Sequence, residues 1–280
     1  MKLMSFSRAD QEGFGVVDGE TVLDISSDRW PRLRAALNVA SFEEIAQTAR
    51  TEGVAIPLSE VAFLPPVTDP EKIICVGLNY ATHAGESKME VPDRPSLFVR
   101  FPSSQVGHEA EVIKPDISDE FDFEGELAVV IGSRARHLPE DRALSCIAGY
   151  TIFGEHSVRD WQFHSRQATP GKNFWRSGAI GPWIVTADEI PDPSKLQLVT
   201  RLNGEVMQDD TTDHLIFSIP KLIAYISHFT ELLPGDIIST GTPAGVGFAR
   251  DPKVYLSPGD EVEIEISGIG KLRNRVAGES

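Results

Sequence analysis

Short alternating and apolar stretches recur along the chain and predict a mainly β structure with some α-helix. In residues 261–266, valine and isoleucine alternate with glutamate, as in a strand with one buried and one solvated face. Residues 72–76, 123–131 and 149–153 predict further strands, and the apolar part of the second, 127–131, is expected to be covered on both faces. No regular βαβ succession is visible, so a doubly wound parallel sheet is not expected.

The first part of the chain predicts a small α/β module. Residues 14–17 and 21–25 flank an Asp-Gly pair, which suits the tight turn of a β-hairpin. Ser41 and Glu44 have the capping-box spacing that opens a helix, and this helix is expected to run toward Arg50. Both elements precede the first strong break in the pattern.

The proline-rich sequence LPPVTDP at residues 64–70 is that break. We therefore predict two domains, a small N-terminal domain over 1–68 and a larger one over 69–280. Within the larger domain a helix is predicted over 219–230, with Ser218 as a favoured N-cap residue. Its apolar residues recur on one face: Leu222, Ile223, Ile226 and Phe229.

Composition and charge exclude some classes of partner. The chain has 280 residues and a formal net charge of −16. Nucleic acids and anionic membranes are bound by clusters of lysine and arginine, so neither is expected, whereas a small anionic substrate can bind in a locally positive pocket. No apolar run approaches the roughly 20 residues of a membrane-spanning helix. The N-terminus lacks the apolar core of a signal peptide and cysteines are few, so we expect a cytoplasmic protein.

Two glutamates carry the strongest chemical signal. Glu124 and Glu126 lie two positions apart at the start of an apolar strand, so their side chains are expected to project from the same face. Like charges at the end of a buried strand are costly unless a cation or strong hydrogen-bond donors neutralise them. Oxygen ligands without cysteine suit Mg²⁺, Mn²⁺ or Ca²⁺ better than Zn²⁺. A solvated strand end is the alternative interpretation.

A second candidate group is formed by His83 and Glu86. If the segment around them is helical, the two side chains can touch, and a carboxylate that holds an imidazole acts as a general base. Nearby glycine and prolines indicate a lid, and an exposed surface pair is the alternative. Lys172 follows a Pro-Gly pair and could extend into a pocket, and Thr242 lies in a glycine-rich turn whose N–H groups could bind a carboxylate. The polar cluster at 154–162 suits either ligand binding or a salt-bridged turn.

Taken in order, motifs between residues 70 and 275 resemble those of the fumarylacetoacetate hydrolase family. The matching motifs are VGLNYxxHxxE (76–86), FEGELAVVIG (123–132), SxRDxQ (157–162), GKxF (171–174), PGD (234–236) and TGTPxGVG (240–247). The N-terminal module is similar to the small domain that many bacterial members carry. The resemblance implies a catalytic domain of rolled, mixed β-sheets over 69–280, a homodimer, and one Mg²⁺ or Mn²⁺ ion per subunit.

The resemblance also implies which residues hold the metal. Three carboxylates do so in this family, and two of them match Glu124 and Glu126. The third is normally an aspartate, and Glu155 stands at its position. Glutamate keeps the charge and adds one methylene, so it can still ligate if the backbone or the metal adjusts. A departure at this position also leaves open a member that has lost its metal and serves as a binding protein.

The remaining candidates take their roles from the same resemblance. His83 and Glu86 match a dyad on a closing lid that generates hydroxide, and Lys172 matches a lysine that stabilises a departing enolate. Three further residues match family positions that hold substrate oxygens or orient the metal ligands: Arg159, Gln162 and Thr242.

The predicted reaction is metal-dependent hydrolysis of a C–C bond in a 2,4-dioxo acid of the acylpyruvate or fumarylpyruvate type, with release of pyruvate. The alternatives are decarboxylation or isomerisation of 2-oxo diacids of the oxaloacetate or hydroxymuconate type, and hydrolysis or dehydration of a keto-deoxy sugar acid. All of them use a small anionic 2-oxo acid. Arg166 and Arg176 favour a substrate whose distal group is also anionic.

Overall fold

The computed structural model of the chain describes residues 1–86 and 92–279. Residues 87–91, part of the predicted lid, lie outside the described residues. The strands are β1 (Lys2–Arg8), β2 (Gln11–Asp18), β3 (Thr21–Asp24), β4 (Val54–Pro57), β5 (Ala62–Phe63), β6 (Ile73–Gly77), β7 (Ser96–Val99), β8 (Gln105–Val106), β9 (Glu111–Lys114), β10 (Phe121–Asp122), β11 (Gly125–Ile131), β12 (Ile147–Gly154), β13 (Ser157–Val158), β14 (Gly178–Thr186), β15 (Gln197–Leu202), β16 (Glu205–Thr211), β17 (Ile237–Ser239), β18 (Glu261–Ile266) and β19 (Gly270–Gly278). The helices are α1 (Leu33–Val39), α2 (Phe42–Glu52), α3 (Ala81–Glu86), α4 (Arg159–Gln162), α5 (Thr169–Lys172) and α6 (Ile219–Phe229). The expected mainly β fold with some α-helix is confirmed.

A mixed twelve-stranded sheet forms the body of the molecule. Its strands follow the order β4-β3-β2-β1-β14-β12-β11-β17-β6-β7, with β5 added to β1 and β8 to β14. Most neighbours are antiparallel, whereas β17 with β6 and β14 with β8 are parallel. Every residue of β11 and β12 is buried, because both strands are apolar on both faces and lie in the middle of the sheet.

A second sheet of five strands, in the order β16-β15-β18-β19-β9, packs against the first. The alternation predicted for residues 261–266 is confirmed, since Val262, Ile264 and Ile266 are buried and the glutamates between them are not. The two sheets lie close together at Gly125, where an added Cβ would lie 2.2 Å from Thr200 Oγ1. A side chain at this position would separate the sheets at the point where β11 begins.

The strand predicted over 123–131 begins later, at Gly125, so the prediction that Glu124 lies on it is wrong. The chain changes partners here, because β10 pairs with β13 in a sheet of its own before β11 enters the large sheet. Residues 123 and 124 form the link between the two pairings.

The N-terminal module contains the predicted hairpin and helix. β2 pairs with β3 up to Asp18 and Thr21, and Ser41 accepts a hydrogen bond from the Glu44 N–H at the start of α2. The module joins the large sheet through β1, in which Leu3 pairs with Ile184 of β14. The division into domains 1–68 and 69–280 stays a prediction, because one continuous sheet includes strands from both sides.

Helix α6 confirms the helix predicted over 219–230, with two differences. Leu222, Ile223 and Ile226 are buried as expected, but Phe229, the last residue of the helix, is 59% exposed. Ser218 occupies the N-cap position without a side-chain cap hydrogen bond. Within the described part of the chain, no helix has both the length and the apolar character needed to cross a membrane.

Candidate active site

One cavity of about 270 Å³ opens where β11 begins and β12 ends. Eight of the nine site residues predicted from the sequence line this cavity: His83, Glu124, Glu126, Glu155, Arg159, Gln162, Lys172 and Thr242. The ninth, Glu86, does not line it but contacts His83. The tertiary structure therefore brings the predicted set together in one place.

Three buried glutamates form the centre of the site. Glu124, Glu126 and Glu155 are 4%, 2% and 1% exposed, and one oxygen from each lies within 4.8 Å of the others. The pairing of β11 with β12 brings them together, because Gly125 lies opposite Gly154 and the glutamates flank these two glycines. The Glu155 N–H also donates to the Glu124 carbonyl oxygen at 2.8 Å. Strand register thus assembles a carboxylate triad from two separate segments.

Hydrogen bonds from neighbouring strands hold two of these carboxylates. Ser157 Oγ donates to Glu124 Oε1 at 2.6 Å. Ser239 Oγ and the Gly241 N–H donate to Glu126 Oε2 at 2.6 and 2.8 Å. Each carboxylate is therefore oriented by one oxygen, which leaves its other oxygen for a ligand.

Lys172, the last residue of α5, places its ammonium group between two members of the triad. Its Nζ donates to Glu124 Oε1 at 3.0 Å and to Glu155 Oε2. The ring of Phe98 lies 5.0 Å from the nitrogen and covers it. Because an ammonium group has three N–H donors, one remains for a substrate oxygen.

Arg159 forms a second cationic contact with the triad, at the same oxygen of Glu124 that Lys172 binds. Its guanidinium lies 2.7 Å from Asp122 Oδ2 and 2.7 Å from Glu124 Oε1. Its Nη1 also donates to Gln162 Oε1 at 2.9 Å. With its oxygen bound in this way, Gln162 presents its amide nitrogen as the donor toward the cavity.

The charges in the cluster separate the pKa values of the glutamates. Burial by itself raises the pKa of Glu124, but Arg159 and Lys172 lower it to about 2. Burial raises the pKa of Glu126 well above its ordinary value, and the nearby carboxylates of Glu155 and Glu124 raise it further. Burial lowers the pKa of Lys172, yet Glu124 and Glu155 outweigh it and raise the pKa overall, so the amine is charged at neutral pH.

The donor set and the charge of the cluster fit a divalent cation. Among the described residues, Glu126 Oε1 receives no hydrogen bond, and every triad donor is a carboxylate oxygen. Oxygen ligands of this kind suit Mg²⁺ or Mn²⁺. Within this cluster the described buried carboxylates outnumber the buried cations by one: Asp122, Glu124, Glu126 and Glu155 against Arg100, Arg159 and Lys172.

His83 and Glu86 form a hydrogen-bonded pair on α3. Their Nδ1 and Oε1 atoms are 2.8 Å apart, and Glu86 Oε2 accepts from the Gly245 N–H at 2.9 Å. An ionised carboxylate only accepts hydrogen bonds, so with Glu86 in that form Nδ1 would carry the proton and Nε2 would be the basic nitrogen. His83 is buried and lines the cavity, which makes the pair a candidate general base.

Thr242 is buried in the cavity wall, but the protein itself uses its hydroxyl group. The Thr242 hydroxyl donates to the Gly125 carbonyl oxygen at 2.9 Å and accepts from Gln208 Nε2 at 2.8 Å. A substrate contact through this hydroxyl would have to compete with both bonds. The Gly241 N–H of the same turn is likewise bound to Glu126.

Sequence reasoning missed two buried residues behind the site. Asp122 accepts hydrogen bonds from Arg159 and from the N–H groups of Gly247 and Phe248, so it joins the arginine to the cavity wall. Its position two residues before Glu124 could have revealed it. Arg100 binds Glu155 from 55 positions away, and no local pattern signals that contact.

Comparison with known proteins identifies the family. Residues 72–277 match the model described as fumarylacetoacetate (FAA) hydrolase C-terminal, and residues 1–66 match the model described as Rv2993c-like, N-terminal. The chain belongs to the fumarylacetoacetate hydrolase family. The resemblance inferred from its motifs is confirmed, and so is the fold that the resemblance implied.

Named relatives in this family carry out different reactions. The chain is 43% identical over 239 residues to the mitochondrial oxaloacetate tautomerase FAHD2A of Bos taurus, which covers 85% of this chain and 76% of the relative. It is similar to the crystal structure of a putative HpcE protein from Mycobacterium smegmatis (TM-score 0.89, 36% identity, all of both chains covered). It is also similar to a maleylpyruvate hydrolase from Sphingobium sp. SYK-6, solved with manganese(II) and pyruvate (TM-score 0.83, 28% identity, all of both chains covered). This family membership, together with the buried triad, supports an enzyme with a divalent metal.

Proposed function

We propose that the protein is a Mg²⁺- or Mn²⁺-dependent tautomerase that interconverts the keto and enol forms of oxaloacetate or a closely similar 2-oxo dicarboxylic acid. The observation that carries this proposal is the shared cavity, which is lined by a carboxylate triad, a lysine and a histidine that the carboxylate of Glu86 holds from behind. The 43% identity to a protein named oxaloacetate tautomerase supports this choice among the reactions of the family.

The metal would be held by Glu124, Glu126 and Glu155. When bound, it would polarise the 2-oxo group and make the adjacent C3–H bond more acidic. His83 Nε2 would take the proton from C3, and the C–H electron pair would form the C2=C3 double bond while the carbonyl pair moves to oxygen. The third N–H of Lys172 would stabilise the charge on that oxygen until the proton held by His83 is transferred to it, which completes the enol and returns the histidine to its neutral form.

Hydrolysis of a 2,4-dioxo acid to pyruvate, the reaction predicted from the sequence, is the second candidate. The His83–Glu86 pair favours it, because the same base could activate a water molecule for attack on the 4-oxo carbon. The maleylpyruvate hydrolase named above, solved with pyruvate, is a family member with this type of activity. Both reactions need a stabilised enolate, so the site residues are the same for both candidates.

The deciding experiment gives metal-stripped protein Mn²⁺ or Mg²⁺ and compares oxaloacetate with acetylpyruvate and fumarylpyruvate. Enol formation is followed by ultraviolet absorbance, and pyruvate release is measured with a coupled dehydrogenase. Metal-dependent equilibration of oxaloacetate without pyruvate release would support the tautomerase. Faster metal-dependent pyruvate release from an acylpyruvate would favour the hydrolase, and pyruvate from oxaloacetate would reveal a decarboxylase.

Replacing His83 by alanine is expected to reduce turnover by about 10²- to 10⁴-fold, the usual contribution of a positioned general base. Binding of Mn²⁺ to the stripped protein should remain unchanged, because His83 is not a triad member. His228→Ala, which changes an exposed histidine on α6, serves as the control. Full turnover in His83→Ala would exclude the proposed base.

Replacing Arg166 by methionine is expected to raise KM for a dicarboxylic substrate by about 10- to 100-fold, which matches a lost hydrogen bond to a charged group. Arg166 lines the cavity, and no salt bridge to it is found within residues 1–86 and 92–279. Arg176→Met is the matched control, because Arg176 stacks on Trp175 and does not line the cavity. Equal effects on oxaloacetate and on pyruvate enolisation would contradict a role in binding the distal carboxylate.

That the protein forms a homodimer and works in the cytoplasm stays a prediction from the sequence. The proposal itself needs one subunit and a small anionic substrate.

A further inference from the structure

Arg100 is a buried arginine that follows strand β7 and lies behind the carboxylate triad. Its Nη1 donates to Glu155 Oε1 at 2.9 Å and to the His156 carbonyl oxygen at 3.0 Å. Its Nη2 donates to Ser177 Oγ at 2.9 Å, and its Nε to Ser104 Oγ at 3.3 Å. The side chain is wholly excluded from solvent, and four of the five N–H donors of its guanidinium group bind these oxygens.

The backbone around Arg100 is shaped to admit its guanidinium group. Gly178 is the first residue of β14, and a Cβ added there would lie 2.8 Å from Arg100 Nη2. The same Cβ would lie 2.7 Å from Gln105 Nε2, so the space beside β14 is filled. Any residue larger than glycine at position 178 would displace the guanidinium group that four hydrogen bonds hold there.

Glu155 is the triad member whose two oxygens are both bound by cations. Oε1 faces Arg100, and Oε2 faces Lys172 in the cavity. Glu124 and Glu126 receive hydrogen bonds from nearby hydroxyl groups, whereas within residues 1–86 and 92–279 the side-chain hydrogen bonds to Glu155 come from Arg100 and Lys172. A glutamate has three side-chain torsions, so without a contact to Oε1 its carboxylate could rotate away from the other two.

We propose that Arg100 is a positioning residue that fixes the carboxylate of Glu155 so that Oε2 faces the divalent cation. Arg100 does not touch the cation or the substrate in this assignment. The inference rests on the metal site of the proposed function, but not on which 2-oxo acid is the substrate. Groups that orient a ligand from behind typically change metal affinity by about 10- to 100-fold when they are replaced.

The test measures the affinity of metal-stripped protein for Mn²⁺ by electron paramagnetic resonance of the free ion. Arg100→Lys keeps the charge but loses the fork that joins Glu155 to Ser177, and we expect Mn²⁺ binding weakened by about 10- to 100-fold. Arg136→Lys is the matched control, because Arg136 binds backbone carbonyls at the end of α6, away from the triad. Its affinity for Mn²⁺ should equal that of the wild type.

A double-mutant cycle separates positioning from a general loss of structure. In a Glu155→Ala background, Arg100→Lys should have no further effect on Mn²⁺ affinity, because the carboxylate that Arg100 positions is absent. An unchanged affinity in Arg100→Lys, or an equal loss in both backgrounds, would overturn the proposal. If wild-type protein binds no Mn²⁺, the proposed metal site itself is wrong. That result differs from one in which Mn²⁺ binds and its affinity does not depend on Arg100.

Ser177→Ala provides a second variant if Arg100→Lys does not fold. It removes one acceptor from Arg100 Nη2 without contacting Glu155, so the guanidinium group is loosened but stays in place. We expect Mn²⁺ binding to weaken several-fold, again only when Glu155 is present. Wild-type affinity in Ser177→Ala, with Arg100→Lys unfolded, would also count against the proposal.

Discussion

Replacing Glu126 by glutamine is expected to reduce turnover by about 10³-fold and, in the same protein, to raise the melting temperature of the metal-free form at neutral pH. Glutamine preserves the shape of the side chain and can accept the hydrogen bonds from Ser239 and Gly241. It removes the charge that the metal requires. The two effects have opposite signs because the charge of Glu126 is needed to bind the metal, whereas in the metal-free protein the same charge destabilises the folded state.

The stability effect follows from the raised pKa of Glu126. Burial, then Glu155 and Glu124, raise this pKa well above its ordinary value of 4.5, so the folded state binds a proton more tightly than the unfolded state does. Metal-free wild-type protein therefore loses stability as pH rises from about 4.5 toward the raised pKa. Glu126→Gln cannot ionise and lacks this loss.

Thermal unfolding of stripped protein across this pH range checks the prediction. The curves of wild type and Glu126→Gln should be closest at the acidic end and diverge as pH rises, and Mn²⁺ should stabilise the wild type alone. Glu265→Gln, which changes a partly exposed glutamate on β18, is the control. Mn²⁺ stabilisation of Glu126→Gln comparable with that of the wild type would contradict the assignment of Glu126 as a ligand.

Replacing Lys172 by methionine is expected to destabilise the metal-free protein by about 3–5 kcal/mol, the typical cost of removing one partner from a buried ion pair. The substitution leaves Glu124 and Glu155 close together without the ammonium group between them. Because the pKa of Lys172 is raised above 10.5, its stabilising effect should be present throughout the neutral range and should be lost only as pH rises through that raised value.

The Lys172→Met variant should bind Mn²⁺ more tightly than the wild-type protein does, and it should lose catalytic turnover. The metal would then be the main counter-charge for the triad, so the ion should recover part of the lost stability. Lys221→Met, which changes an exposed lysine on α6, should leave both Mn²⁺ affinity and turnover unaffected. Weaker Mn²⁺ binding in Lys172→Met would indicate that the lysine organises the triad rather than only neutralising it.

Several elements of this protein were determined by short stretches of its sequence. The alternation in β18, the hairpin of β2 and β3, and the capped start of α2 depend on neighbours only a few positions away. The same is true of His83 and Glu86, which a single helical turn brings to 2.8 Å. In each case the physical cause is the fixed period of a strand or a helix.

Periodicity failed where a distant partner decided the local structure. Glu124 lies outside the strand predicted for it, because β10 pairs with β13 before β11 begins. Phe229 fits the apolar face of α6 and yet is 59% exposed at the last position of the helix. A residue's burial depends on what packs against it, and that is a property of the whole fold.

The tertiary structure alone decided the geometry of the candidate site. Its motifs named the candidates, but the distance between Glu155 and Glu124 depends on the register that places Gly125 opposite Gly154. Arg100 reaches Glu155 across 55 positions, and nothing near either residue in the sequence indicates the contact. The chain itself sets which charges are present and their local spacing, whereas long-range strand pairing sets which of them share a buried cavity and must neutralise one another.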